Sequence, residues 1–242
     1  MPNLNPIDTQ LLQVVSVASP ASIADVVAVM QKIDGLLPSN DGLKWFNRLY
    51  FMVTQEIDLQ PPPNGWEDAM WLTRLDVVFA GFYFAAIAGA LQRAAGTASS
   101  WDALFEARNR VGVDRIQFAL AGMNAHINHD LALALLQTDD ELHLTPPLQS
   151  PEHDDYEQVN GLLEQLLPSA LNVLATGIVG ELAQDTGKIG RLLAIWNVRA
   201  ARDLAWDFCG HLRDLAGASR ALALEVQDQL TGVIGRGLLL PI

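Results

Sequence analysis

The chain has a single cysteine, Cys209. No intrachain disulfide can form, which fits a reducing compartment. Basic residues are also scarce: 15 Lys and Arg stand against 28 Asp and Glu, a formal net charge of −13. This balance disfavours nucleic acid and anionic membrane surfaces, both of which demand clustered cations. The N-terminal Met1–Asp8 segment has neither a basic n-region nor an apolar h-region, so no signal peptide is expected and a cytoplasmic location is. The longest uncharged apolar run, Val77–Leu91, has fifteen residues. A membrane span needs about 20, so the run reads as a buried helix of a soluble core. Walker A, G-x-G-x-x-G, G-x-S-x-G and C-x-x-C motifs are all missing. Nucleotide hydrolysis, Rossmann redox chemistry and α/β-hydrolase chemistry are therefore not expected. No Asp-Asp-x-x-Asp run stands on a helix, and Asp139-Asp140-Glu141 and Asp154-Asp155 read as solvated.

What the chain does contain is apolar and helix-forming. Half of its 242 residues are hydrophobic, mostly Leu, Ala and Val, and Ala and Leu favour helices. No stretch alternates with period two long enough to argue a sheet. We expect one all-α domain over 1–242, with about seven or eight helices. Residues 1–18 read as a flexible arm or a short helix. Helices are expected from Ser22 to Gly35 and from Leu43 to about Ile57. Another runs from Trp66 to about Ala95, kinked at Gly81 or Gly89. A short one starts at Ser100, and a further one runs from Asp114 to about Gln137. Pro61-Pro62-Pro63 stops any helix there. Residues 138–154, with three prolines, read as a long loop or lid. Helices resume over about 155–184, 186–216 and 218–235.

One helix is odd. Residues 116–121 and 131–136 are almost wholly apolar, and a helix apolar on most sides is buried. Yet between them stands Asn124-Ala125-His126-Ile127-Asn128-His129-Asp130. At about 100° per residue, His126, His129 and Asp130 share one facet, and Asn124 and Asn128 share another. Each must find partners, because an unpaired buried polar group costs about 1–3 kcal/mol. His126 and Asp130 at i, i+4 suit two roles. They can ligate a metal, with further ligands from elsewhere. Alternatively, His126 is a general acid or base oriented by Asp130 or Asp76, with Asn124 or Asn128 holding a substrate carbonyl or oxyanion. A third reading has the cluster merely tying helices together.

Two more places attract attention. Asp76 directly precedes the uncharged run, and Tyr83 lies two turns further along the same face, so the pair can line a pocket wall. Arg202 and Trp206 share a face of another helix: the guanidinium can neutralise a carboxylate or bind an anionic substrate, and the indole can form a wall. Cys209 has no base beside it in sequence and is not a candidate nucleophile.

At these residues the sequence resembles an uncharacterised family of bacterial helical proteins with a Gly-x-Asn-Ala-His-Ile-Asn-x-Asp-Leu signature, here Gly122 to Leu131. Leu75-Asp76-Val77-Val78-Phe79-Ala80 with Tyr83 looks like a second block of that family. Asp155 to Asn160 and Ala201 to Trp206 look like two later ones. The resemblance spans roughly residues 45–215. It implies that Asp76, Asn124, His126, Asn128, Asp130, Asp155, Asn160 and Arg202 belong to a shared site, with His129 at a variable position. It implies no reaction.

The leading expectation is an enzyme acting on a small, largely apolar molecule by acid/base chemistry: cyclisation, isomerisation or hydrolysis in secondary metabolism. His126 carries the proton, Asp76 or Asp130 orients it or acts beside it, Asn124 and Asn128 donate hydrogen bonds, and Tyr83 and Trp206 form walls. No cofactor is required. The alternatives are a metal-dependent hydrolase or oxygenase using His126 and Asp130, and a non-catalytic binding protein. Self-association is left open.

Overall fold

The computed structural model describes residues 4–94, 97–176 and 197–241. Every regular element among them is helical: α1 Pro6–Val17, α2 Ile23–Leu36, α3 Gly42–Leu59, α4 Ala69–Gln92, α5 Ser99–Ala107, α6 Arg115–Ala125, a π-helical turn His126–Asp130, α7 Leu131–Leu142, α8 Pro151–Thr176, α9 Val198–Asp214 and α10 Gly217–Leu238. The helix end expected near Ala95 and the break expected between the 155–184 and 186–216 helices lie outside the described residues.

The helix starts follow local chemistry. Asn5, Ser22, Asp41, Asp68 and Asn197 each cap the helix that follows by accepting a backbone N–H in its first turn, satisfying a donor that has no intrahelical partner. Asp114 and Gln117 form a reciprocal capping box on α6. The proline run falls between α3 and α4, as its chemistry demands.

α3 lies at the centre, packed on α2, α6 and α8; α4 packs on α1 and α7, and α10 covers α5 and α6. The whole of Ile116–Ala125 is buried. α4 runs through Gly81 and Gly89 as one uninterrupted helix. It is long and apolar enough to cross a bilayer by length and composition, yet Trp71, Leu75, Phe79, Tyr83 and Ile87 are buried within this fold.

Of the two readings of residues 1–18, residues 6–17 take the short helix, and it is docked: Leu11 and Val15 are buried against the rest, and α1 meets α2 and α4. Two expectations change. The expected 138–154 loop shrinks to residues 143–150, because Thr138–Leu142 continue α7 and Pro151 opens α8. Pro is tolerated in a first helical turn, where its missing N–H has no partner to lose. Buried Asp139 also holds the end of α7 in place by accepting the Trp71 indole N–H at 2.8 Å and pairing with Arg213. Finally, the 114–142 stretch is not uniformly α-helical. It widens into a π turn at the polar cluster, with Leu131 N–H bonded back to the His126 carbonyl. Such single π turns recur at functional sites.

Gly122 sets how closely α6 approaches α3. A Cβ there would lie 2.2 Å from the Phe46 ring, inside any tolerable contact. Gly122→Ala is therefore expected to cost about 1–3 kcal/mol, the usual range for overpacking a tight core. Urea unfolding would measure this, and an unchanged midpoint would show that α3 and α6 are not so close.

Candidate active site

The polar cluster divides along its two facets. On one, Asn124 donates to the Thr231 carbonyl at 2.9 Å and accepts from Asn128 Nδ2 at 3.0 Å. Gln227 of α10 donates to the Asn128 carbonyl at 2.5 Å. This facet ties α6 and the π turn to α10. The expectation that Asn124 and Asn128 hold a substrate does not fit, because neither lines the cavity described below and the Asn124 amide is occupied on both sides.

The other facet is built around Asp130, which is 2% exposed. His126 Nδ1 lies 2.9 Å from Asp130 Oδ2, and His129 Nδ1 lies 2.9 Å from Oδ1. The Trp101 indole N–H donates to Oδ2 at 2.9 Å. A carboxylate accepting from both rings requires Nδ1 of each to carry a proton. In neutral His126, the lone pair is thereby placed on Nε2. Burial holds the His126 pKa below its usual value, against the opposing pull of Asp130. His129 goes the other way: burial disfavours its charge, but Asp130 and Asp228 outweigh this and raise its pKa. Asp130 itself pays a burial penalty that its two histidine partners exceed, leaving its pKa low. At neutral pH this gives a neutral His126 beside a carboxylate Asp130, with His129 more readily protonated than a free imidazole.

The His126 ring is clamped. It stacks on Phe79 with centroids 3.5 Å apart and planes 5° from parallel, and it meets the Tyr50 ring edge-on at 4.6 Å. Its Nε2 is buried without a hydrogen-bond partner among the described residues. The same holds for Asp76 Oδ2, the Tyr50 hydroxyl and the Thr54 hydroxyl. All four residues line one cavity of about 90 Å³ between α3, α4, the π turn, α8 and α9. Its remaining walls are largely apolar, including Leu49, Val53, Ile57, Leu72, Leu75 and Leu163. Arg202 completes the lining. Desolvation pushes the Asp76 carboxyl up to about 7, with the charge of Asp58 adding to it. Asp76 keeps some accessible surface, as a cavity-lining residue does, while its Oδ2 is sealed. Burial likewise raises the Tyr50 phenol well above its usual value, so it stays a neutral donor.

Of the residues singled out in the sequence, His126, Asp76 and Arg202 meet at this cavity, with Asp130 directly behind His126. The others stand elsewhere. Tyr83 is fully buried behind Phe46 and donates to Asn47 Oδ1 at 3.2 Å. Trp206 packs on Trp71, His153 and Tyr156. Asp155 accepts the backbone N–H groups of Glu67 and Asp68 at 2.8 and 2.7 Å, fixing the entry to α4. Asn160 touches Arg202 rather than the cavity, accepting from its Nε. Tyr50 and Thr54 were not legible as site residues: in sequence they are one more aromatic and one more small residue on an amphipathic helix. Their i, i+4 spacing was the only signal.

The metal reading meets a geometric obstacle. Nδ1 of His126 and Oδ2 of Asp130 face each other as hydrogen-bond partners and do not converge on a common third point. Among the described residues, no group of three or more His, Cys, Asp or Glu side chains is arranged to hold an ion.

Fold and site together define a class: an all-helical domain in which a buried carboxylate–imidazole pair opens onto a small apolar cavity. The chain belongs to a family of unknown function, DUF5995, whose model matches residues 23–241. No curated protein and no solved structure matches it.

Proposed function

We propose that the protein is an enzyme that moves protons on a small, largely apolar organic molecule, with His126 as the base and Asp76 as the acid. One observation carries this reading: four buried polar atoms without partners belong to four side chains that line a single apolar cavity. Each such atom costs about 1–3 kcal/mol, and of the seven such side-chain atoms among the described residues these four belong to one cavity's lining, while those of Asp8, Ser100 and Thr138 lie elsewhere. A purely structural network would leave no such atoms beside a cavity. Ligand groups that accept and donate hydrogen bonds would satisfy them.

The chemistry follows from protonation. Neutral His126 presents the Nε2 lone pair to the cavity, and Asp130 stabilises the imidazolium formed once it accepts a proton. Asp76, with its pKa raised to about 7, is partly protonated near neutral pH and can return a proton to a second substrate atom. Tyr50 and Thr54 supply hydroxyl donors for a developing oxyanion. Isomerisation and cyclisation need nothing more, whereas hydrolysis would require a water in the same space. The acidic composition supports action free of nucleic acid, and the burial of α4 supports its role as a core helix.

Because the substrate is unknown, the test reads proton transfer itself. Purified protein is incubated with a small-molecule cell extract in D2O, and deuterium uptake is followed by mass spectrometry. The wild type is expected to label at least one compound that His126→Gln does not, with the variant retaining its helical circular dichroism. Equal labelling by the variant, or no label specific to the wild type, would overturn the proposal.

A further inference from the structure

Arg202 is 5% exposed. Its guanidinium lies over the Tyr156 ring at 4.2 Å, and its Nε donates to Asn160 Oδ1. Asn160 is itself held, donating to Glu157 at 3.0 Å and to Asp203 at 3.1 Å. Tyr156 donates its hydroxyl to the Arg202 carbonyl at 2.6 Å. The side chain is thus locked on one edge and one face. Among the described residues, no carboxylate lies within ion-pair distance of it, although the other buried arginine, Arg108, pairs with both Asp41 and Asp8. A buried cation without a counter-charge costs several kcal/mol. A guanidinium has five N–H donors in a planar fork that matches a carboxylate, and here only the Nε donor has a partner among the described residues.

We propose that the ligand of this cavity is a short-chain carboxylic acid, whose carboxylate pairs with Arg202 while its hydrocarbon lies along the apolar wall of α3 and α4. The inference rests on the reading that the cavity takes a small organic molecule and adds what that molecule must carry. A single fixed guanidinium matches a monoanion. A phosphate ester, with a second charge, would face Asp76 with no further cation lining the cavity. Size limits the chain as well. A dry cavity of about 150 Å³ takes benzene, so about 90 Å³ accommodates the hydrocarbon of an acid such as butyrate or isobutyrate, or the acid end of a longer one. Bound this way, the acid places its carbon chain beside His126 Nε2 and Asp76, the two groups that would act on it.

The test is binding, independent of turnover. Butyrate, isobutyrate and their isosteric neutral amides are titrated into full-length protein at pH 7.5, with affinity read from ligand-observed NMR and from protein shifts of His126 and Phe79. We expect each acid to bind at least about tenfold more tightly than its amide, a difference of about 1.4 kcal/mol. Arg202→Met should abolish that preference, and Arg202→Lys, which keeps the charge without the fork, should retain part of it. Equal binding of acid and amide by the wild type, no binding of either, or a preference unchanged in Arg202→Met would each overturn the inference. If Arg202→Met does not fold, a full preference in Arg202→Lys overturns it and a reduced one supports it. The two proposals fail separately. Acid binding through Arg202 without His126-dependent deuterium labelling would leave a carboxylate-binding protein. Labelling without acid preference would leave a proton-transfer enzyme for a neutral substrate.

Discussion

Replacing Asp130 with alanine is expected to destabilise the protein by about 3–5 kcal/mol, the cost of removing one member of a buried ionic pair. The carboxylate accepts from Trp101, His126 and His129, so its loss strands three donors in the core and leaves His129 without its nearest counter-charge. Chemical denaturation measures the loss, and a change under about 1 kcal/mol would mean these contacts are not made as described. Asp130→Asn separates stability from chemistry. It preserves the shape of the side chain. Its amide oxygen can still accept from both Trp101 and His126, which share one carboxylate oxygen, while its NH2 group faces His129. The His126 proton then stays on Nδ1, but the negative charge that stabilises the imidazolium is gone. Deuterium labelling is expected to fall by about 10²–10⁴-fold, the usual range for impaired acid/base catalysis. Nitrogen NMR distinguishes this role from a structural one: the His126 proton should sit on Nδ1 in both proteins, and the ring should titrate lower in the variant, having lost the carboxylate that raises its pKa.

The second large effect concerns pH. Asp76 has an ordinary carboxyl value of 3.8 in the unfolded chain and about 7 in the fold. Between these values the folded protein holds a proton that the unfolded chain has released. Stability therefore falls as pH rises through this window and stays lower above it. Three pKa units correspond to about 4 kcal/mol; allowing for the accessible part of the residue, the expected loss is about 2–4 kcal/mol. Asp76→Asn mimics the protonated form and removes the dependence. Relative to wild type, the variant should be equally stable near pH 4 and more stable by about 2–4 kcal/mol at pH 8, measured by urea unfolding at each pH. A difference that does not change with pH would show that Asp76 is solvated and ionised. A carboxyl kept in a place that costs the fold stability is what a working acid requires.

Much of the helical framework was legible because its signals are local. Cap residues such as Ser22 and Asp114, the proline run at 61–63 and the apolar periodicity of 114–136 each act within a few residues of where they stand. The same locality misled at the 138–154 segment. Asp139 and Asp140 read as solvated loop, whereas buried Asp139 closes α7 through Trp71 and Arg213, distant in the chain. The docking of α1 was hidden for a related reason: Leu11 and Val15 are too few to declare a face until α2 and α4 supply the surface they bury against.

For the site, the sequence by itself determined that 114–131 would be buried, that His126 and Asp130 would stand within reach of each other, and that a cluster so polar must be answered by partners. Helical spacing and the cost of unpaired polar groups suffice for that. Only the tertiary structure decided which groups are answered. Asn124 finds a carbonyl at Thr231 and Asp155 finds two amides before α4, so both become architecture. His126 Nε2 and the Asp76 Oδ2, Tyr50 and Thr54 oxygens find no partner among the described residues, and their four side chains line one cavity. The physical reason is that a hydrogen bond is satisfied or not by whatever lies within about 3 Å in space, and for a buried side chain those neighbours come from segments far away along the chain.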